Sequence, residues 1–439
     1  VIEGRVSDEN GQPLSGASIA IENTFLGTHS GSDGSFMLKG LKDGVYYLRF
    51  SFIGYESRVV ELELEGRSEV NIAMTEKPFL AGEVIVSATR AGTHTPLAYS
   101  TLDRDFLAKH NMGQDVPFLL SLTPSLVETS EAGHGMGYTS LRIRGTDASR
   151  INVTIDGIPL NDPESQQVFW VDLPDLVSSV DNIQVQRGVG TSSHGAGAFG
   201  ATVNMQTKNP DNDPFAQINA SFGSFNTSKK MISAGTGLMA DRLAFQIRFS
   251  EMNSDGFIAR TGSSHRSAFI NGVMRTNRSH LKANIILGEE KTGIGWWGVP
   301  AEILSVDRRY NPAGEYTDEN GIVRYYDNET DNYTQNHFQL IYAYRFNDQL
   351  NLNAALHYTN GKGYYEEFKE DASLPDYGLP EIYVGDTTIS STDLVRRKWL
   401  SNDFYGIVYS LRFKADRIEA TLGGGVNYYN GCLLYTSDA

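Results

Sequence analysis

Between Asp213 and Tyr429 apolar and polar residues alternate with a period of two, stretch after stretch. That period admits β-strands and excludes amphipathic helices. In Leu243-Ala244-Phe245-Gln246-Ile247-Arg248-Phe249-Ser250 every odd position is apolar and every even one is small or polar. Phe338, Leu340, Tyr342, Tyr344 and Phe346 share one face, with His337, Gln339 and Arg345 on the other. The pattern repeats through Leu350, Leu352, Ala354, Leu356 and Tyr358, through Tyr405, Ile407, Tyr409, Leu411 and Phe413, and through Ile418, Ala420, Leu422, Val426 and Tyr428. A soluble sandwich also alternates, so three further features decide. Several stretches reach roughly 9–11 residues, enough to cross a bilayer when tilted. Tyrosines and phenylalanines gather near strand ends, as in an interfacial girdle. Short connections (Met239–Arg242, Asn347–Gln349, Ala415–Arg417) take turns with long ones (Ser254–Ser264, Lys291–Gln335, Gly361–Lys398). Residues 213–430 are therefore expected to form about nine strands of a transmembrane antiparallel β-barrel, an incomplete set with open edges.

Composition agrees with a mainly β chain and narrows its chemistry. The 439 residues include 44 Gly, 22 Tyr and 21 Phe, which suits many strands joined by tight turns. The net charge of −16 argues against nucleic acid as a partner, because phosphate binding needs a basic face. A single cysteine, Cys432, excludes a disulfide framework and a thiolate metal site. No uninterrupted apolar run is long enough for a transmembrane helix. The sequence starts at Val1 in mid-strand, which reads as a fragment.

Two regions precede the barrel pattern. Residues 1–75 show short alternating strands separated by turn signals such as Asn10-Gly11 and Asp33-Gly34, the pattern of a small β-sandwich. Residues 76–94 form a linker, with Pro78 followed by one β-prone stretch, Glu83-Val84-Ile85-Val86-Ser87-Ala88. That stretch is an ordinary linker strand or a strand offered to another protein's sheet edge. Residues 95–208 begin with a helical apolar pattern from Leu102 to Leu122, ended by Pro124, and continue as strands, giving an α+β unit.

Both regions resemble known families. Gly4-Arg5-Val6, the run Asp8 to Ala17 and Ile53-Gly54-Tyr55 resemble the carboxypeptidase-regulatory-like domain that stands ahead of many Bacteroidetes outer-membrane receptors. Arg142-Ile143-Arg144-Gly145, then Ile155-Asp156-Gly157-Ile158-Pro159, Gln186-Arg187-Gly188, Gly195 to Gly200 and Val203-Asn204 resemble, in that order, the plug domain of TonB-dependent receptors. Glu83 to Ala88 is similar to that family's TonB box and stands in the expected place. The resemblance implies a periplasmic sandwich, a plug filling the lumen of a barrel of about 22 strands, and a Gram-negative outer membrane around it. Arg144 and Arg187 are then expected to pair with barrel glutamates on strands beyond this sequence, since an unpaired buried charge is costly. The implied partners are TonB with its ExbB/ExbD energy-coupling complex, outer-membrane lipid and a small-molecule ligand, with room for a surface lipoprotein.

The implied activity is energised import without chemistry on the ligand, a transporter and not an enzyme, with no cofactor. A ferric siderophore or similar iron chelate is the first expectation, ahead of cobalamin and a SusC-like glycan. A non-transporting adhesin or a signalling receptor is the alternative of another class. An adhesin has no need of residues 83–88, and a signalling receptor carries a βαβ-type extension where residues 1–75 read as all-β. The ligand-facing candidates are His134, Tyr138, Asp162, Gln166, Phe169 and Trp170 in two plug loops, and Trp296 and Trp297 in a long barrel loop, where paired indoles suit stacking. No His/Cys metal cluster or nucleophile elbow is present. The acid pairs Glu366-Glu367 and Glu370-Asp371 read as a solvated loop, and 431–439, which lose the alternation, as a non-native tail.

Overall fold

A computed structural model describes residues 1–22, 24, 26–52, 55, 58–75, 90, 97–189, 199–347, 349–415 and 418–438. Two compact units are described separately. The first contains β1 (Ile2–Asp8), β2 (Ser18–Ile21), β3 (Gly27–His29), β4 (Ser35–Leu38), β5 (Gly44–Ser51), β6 (Arg58–Leu64) and β7 (Ser68–Met74). They form sheets of order β4-β1-β7 and β3-β2-β5-β6. Alternate residues enclose one core around Ile2, Ile19, Leu48, Phe50, Leu64 and Met74. The Asp33-Gly34 turn needs its glycine: Gly34 has φ +79°, and a Cβ there would lie 2.5 Å from the Val6 carbonyl oxygen.

The second unit begins with a plug of β8 (Ala98–Leu102), α1 (Arg104–His110), α2 (Val116–Leu119), β9 (Leu126–Ser130), β10 (Thr139–Ile143), β11 (Ile151–Ile155), β12 (Ile158–Pro159), β13 (Val180–Arg187) and β14 (Ala201–Thr207). Helix α1 starts where the Asp103 side chain accepts the Phe106 amide at 2.9 Å, and it ends in Lys109 and His110, a charge order that suits the helix dipole. The main plug sheet runs β12-β11-β14-β13-β8, with β11 parallel to β14. Every residue of β11 is buried, the polar Asn152 and Thr154 of its alternating sequence included, and Thr154 donates to the Asn204 side chain of β14 at 2.6 Å.

The plug leads into nine antiparallel strands, paired in chain order: β15 (Pro214–Phe222), β16 (Ser228–Thr236), β17 (Leu243–Ser254), β18 (Ser263–Arg275), β19 (Ser279–Gly293), β22 (Thr330–Arg345), β23 (Leu350–Ser373), β26 (Ser391–Ala415) and β27 (Ile418–Asp438). Two small hairpins, β20 (Glu315–Thr317) with β21 (Val323–Tyr325) and β24 (Ile382–Val384) with β25 (Thr387–Ile389), sit in the long connections. The sheet is inverted relative to a soluble protein. Its plug-facing side chains are polar and buried, among them Lys229, Arg248, Asn271, Lys282, Asn284 and His337. Its other face exposes Ile218, Phe249, Leu340, Leu356, Ile407 and Leu422. Only lipid makes that arrangement favourable. Among the described residues no helix is long and apolar enough to cross a membrane, which says nothing against crossing by strands.

The outward apolar band has a sharp upper border. Phe338 pairs with Tyr358, Tyr358 with Tyr405 and Tyr405 with Tyr428 along one rung of the sheet. Their ring centroids are 6.0, 6.4 and 5.2 Å apart, an aromatic girdle. Beyond that row the strands continue. The expected long loops Lys291–Gln335 and Gly361–Lys398 are shorter than the sequence suggests, because β19 runs to Gly293, β22 starts at Thr330, and β23 and β26 reach Ser373 and Ser391. Above the girdle both faces meet water, so hydropathy stops alternating while the backbone ladder carries on. Glu366 and Glu367 accordingly lie on β23 and are buried, paired with Arg397 at 2.6 Å and Arg396 at 2.5 Å, and do not form a solvated loop. Strand β27 likewise stays in register with β26 as far as Asp438, past the point where the alternation fades.

Candidate functional site

The plug is held to the sheet by buried ion pairs on its own sequence's strands. Asp175, at the start of a 3-10 turn, receives Lys229 Nζ of β16 at 2.5 Å and Arg248 Nη1 of β17 at 2.8 Å, and all three side chains are almost wholly buried. Burial alone raises the Asp175 carboxyl, but Arg248 and Lys229 outweigh it and hold it down at about 2. Asp156, of the Ile155-Asp156-Gly157 turn, accepts from Thr207 and from Asn284 of β19 at 3.0 Å, with Lys282 Nζ at 3.3 Å.

Arg144 and Arg187 are arranged otherwise. Arg144 is exposed at a left-handed turn (φ 52°) and lies over Gly188, while Arg187 donates to the Pro124 carbonyl at 3.3 Å. The two Arg-Gly motifs thus meet, and among the described residues neither arginine forms an ion pair. Sequence reading singled out these arginines and missed Asp175, Lys229, Arg248 and Lys282. The available signal was a basic residue at plug-facing parity in each of β16, β17 and β19. Residues Glu83 to Ala88 lie outside the described residues.

A cavity of 650 Å³ opens between plug loops and the sheet. Tyr138, Asp162, Phe169 and Trp296 of the sequence candidates all line it. Tyr138 donates its hydroxyl to Asp331 of β22. Burial, together with Asp331, Glu290 and Asp172 around it, pushes the phenol well above its ordinary value, so it remains a donor. Asp162 accepts from the Glu164 amide at 3.1 Å and from the Ser165 amide and hydroxyl at 2.7 and 2.8 Å, which fixes the plug loop that carries it. Trp296 stands between Tyr138 and Tyr365, edge to face with each at 5.3 and 5.2 Å.

The other four candidates lie elsewhere. Trp170 is 3% exposed and belongs to the plug core, because the 3-10 turn Trp170–Asp172 directs its indole inward. That same turn aims Asp172 at the cavity. Trp297 is 61% exposed and off the lining, so the two indoles part. Gln166 sits in the left-handed region and donates to the Pro163 carbonyl, leaving Gln167 on the lining. His134 is half-buried away from this cavity, and burial lowers its pKa. Tyr333, Tyr365 and Asp331, which sequence reading placed in loops, line the cavity because their strands outrun their alternation.

Comparison with known proteins places this geometry. Residues 2–86 match the CarboxypepD_reg-like domain and residues 92–202 the TonB-dependent receptor plug domain. The chain belongs to the TonB-dependent receptors. It is 22% identical to the TonB-dependent receptor SusC of Bacteroides thetaiotaomicron, over 96% of this chain and 44% of that protein. It is also 22% identical to the ferrienterobactin receptor of Escherichia coli, over 53% of this chain and 33% of that protein. The crystal structure of the unliganded ferric citrate transporter FecA superposes with a TM-score of 0.56 at 16% identity, covering 78% of this chain and 49% of that one. This TonB-dependent receptor chain therefore spans less than half the length of these relatives. The family comprises outer-membrane receptors and transporters, not enzymes.

Proposed function

We propose that this chain supplies the plug and the first wall of an importer that takes a scarce ligand across the outer membrane at the expense of TonB-delivered energy. The observation that carries the reading is the cavity built jointly by plug loops and sheet: a ligand seated there touches both the mobile part and the frame. Ligand binding shifts the population of the plug's conformers, TonB adds a strand at Glu83–Ala88, and tension transmitted by ExbB/ExbD rearranges the plug. The sandwich then faces the periplasm and the long connections face outward. The buried ion pairs at Asp175 and Asp156 are the fixed points against which tension acts. An iron chelate is the first ligand class in this reading, in keeping with the names of the ferrienterobactin and ferric citrate relatives. Glycan is the second, favoured by the aromatic lining and by the extent of the match to SusC. The test is deletion of residues 83–88 in cells. Uptake is expected to stop while surface binding persists; unchanged uptake refutes TonB-driven import.

A further inference from the structure

The cavity has one sign of charge. Its lining carries five carboxylates, those of Glu131, Asp162, Glu164, Asp172 and Asp331, and no lysine, arginine or histidine. It also carries six aromatic side chains, Tyr138, Phe169, Trp296, Tyr333, Tyr365 and Tyr429. Lys398 stands over the Tyr365 ring at 5.2 Å and is off the lining. One of these acids, Asp172, and a sixth behind the lining, Glu290, lack the counter-charge that buried acids ordinarily have. Asp172 is 9% exposed, and among the described residues its carboxylate accepts no hydrogen bond and meets no base. Behind the lining Glu290, paired in register with Tyr333, is 2% exposed, and among the described residues it forms no ion pair.

Burying a carboxylate without a counter-charge costs several kcal/mol, so burial raises the Asp172 carboxyl well above its ordinary value, and a positive group seated there restores its charged form. The aromatic faces add a second attraction of the same sign, because a ring face is negative. An anionic chelate meets repulsion from the acids and has no donor of positive charge to offset it. From these observations we infer that the cavity takes an organic cation, a ligand carrying positive charge on an apolar or aromatic surface, with Asp172 and Asp331 as its counter-ions and Trp296 with Tyr138 and Tyr365 as its aromatic corner. The inference rests on the import reading and narrows it: among iron chelates, those with net positive charge fit and those with net negative charge do not.

Binding to the purified receptor tests this without TonB. The probes are N-methylacridinium, a permanent aromatic cation, its neutral parent acridine at neutral pH, and ferric citrate as an anionic chelate. The cation is expected to bind about tenfold more tightly than acridine, a factor that corresponds to ~1.4 kcal/mol. Ferric citrate is expected not to displace it. Asp172→Asn and Asp331→Asn each weaken the cation and leave acridine unchanged, which separates lost charge from lost structure. Equal binding of cation and parent, no binding of the cation, or displacement by ferric citrate overturns the inference. Deleting residues 83–88 leaves this binding intact in either case. A failed charge preference with box-dependent uptake preserved removes the inference alone, and uptake indifferent to the box with cation binding preserved removes the import reading alone.

Discussion

At the scale of single residues, Asp175 is where plug and wall depend most on each other. Its two partners approach from separate strands and neither is solvated. Removing the acid strands two buried cations, so Asp175→Ala should cost about 3–5 kcal/mol. Replacing all three by Leu, Met and Met should cost far less, since well-packed apolar groups dispense with the desolvation penalty altogether. Urea unfolding of the two variants distinguishes these outcomes; equal losses would mean the charges are not a coupled set. The same acid predicts a pH response. Its folded value of about 2 lies below the ordinary 3.8, so its contribution is complete above 3.8 and disappears as pH falls through 2. Asp175→Ala should flatten the stability profile in that window. The basic residues at plug-facing parity are legible in the sequence, and their shared acid is not. Asp175 is 54 residues from Lys229 in sequence, and a lone acid in a Pro-Asp-Leu context carries no mark of a distant partner. Arg144 and Arg187 drew attention because motifs advertise them, while the pairs formed within this chain are made elsewhere.

At the scale of elements, the strands were readable only where lipid makes the two faces differ. From Leu350 to Tyr358 on β23, and from Tyr405 to Phe413 on β26, outward positions are apolar and the two stretches pair in register. Nine residues at about 3.3 Å each, tilted, span roughly the 25 Å of an outer-membrane apolar band. Past Tyr358 the outward residues are Asn360, Lys362 and Tyr364, and the strand survives on backbone hydrogen bonds and on the Glu366–Arg397 and Glu367–Arg396 pairs. Hydropathy therefore reported the membrane band and not the strand, which is why Asp331, Tyr333 and Tyr365 were assigned to loops. The band makes a depth-dependent prediction. Leu356→Arg, mid-band and outward, should destabilise by roughly 2–4 kcal/mol, whereas Thr334→Arg, outward on β22 but beyond the girdle, should cost about 0–1 kcal/mol. Unfolding free energies in lipid vesicles decide this, and equal costs at both positions would place the bilayer elsewhere.

At the scale of the whole molecule, the question is how a pull at residues 83–88, the proposed TonB-binding segment, would reach the plug sheet. Arg90 stands two residues beyond that segment and is docked on the plug sheet: its guanidinium donates to the Asn182 side chain and to the Asn204 carbonyl at 2.9 Å. Asn182 belongs to β13 and Asn204 to β14, and β14 is the strand beside β11, which is followed directly by Asp156, the acid anchored on Lys282. One hydrogen-bonded path thus runs from Arg90 to a fixed point on the wall. Under the import proposed above, if the Arg90 contacts oppose TonB binding at residues 83–88, the apparent affinity carries the cost of opening those contacts. Arg90→Ala removes the dock. The carboxy-terminal domain of TonB should then bind the ligand-free receptor several-fold more tightly, by about tenfold if the dock contributes ~1.4 kcal/mol, and ligand should enhance that binding less than in the parent protein. Surface plasmon resonance with and without ligand gives both quantities. If Arg90→Ala left the two affinities and their ratio unchanged, Arg90 would be a brace of the β13–β14 sheet with no part in presenting the segment.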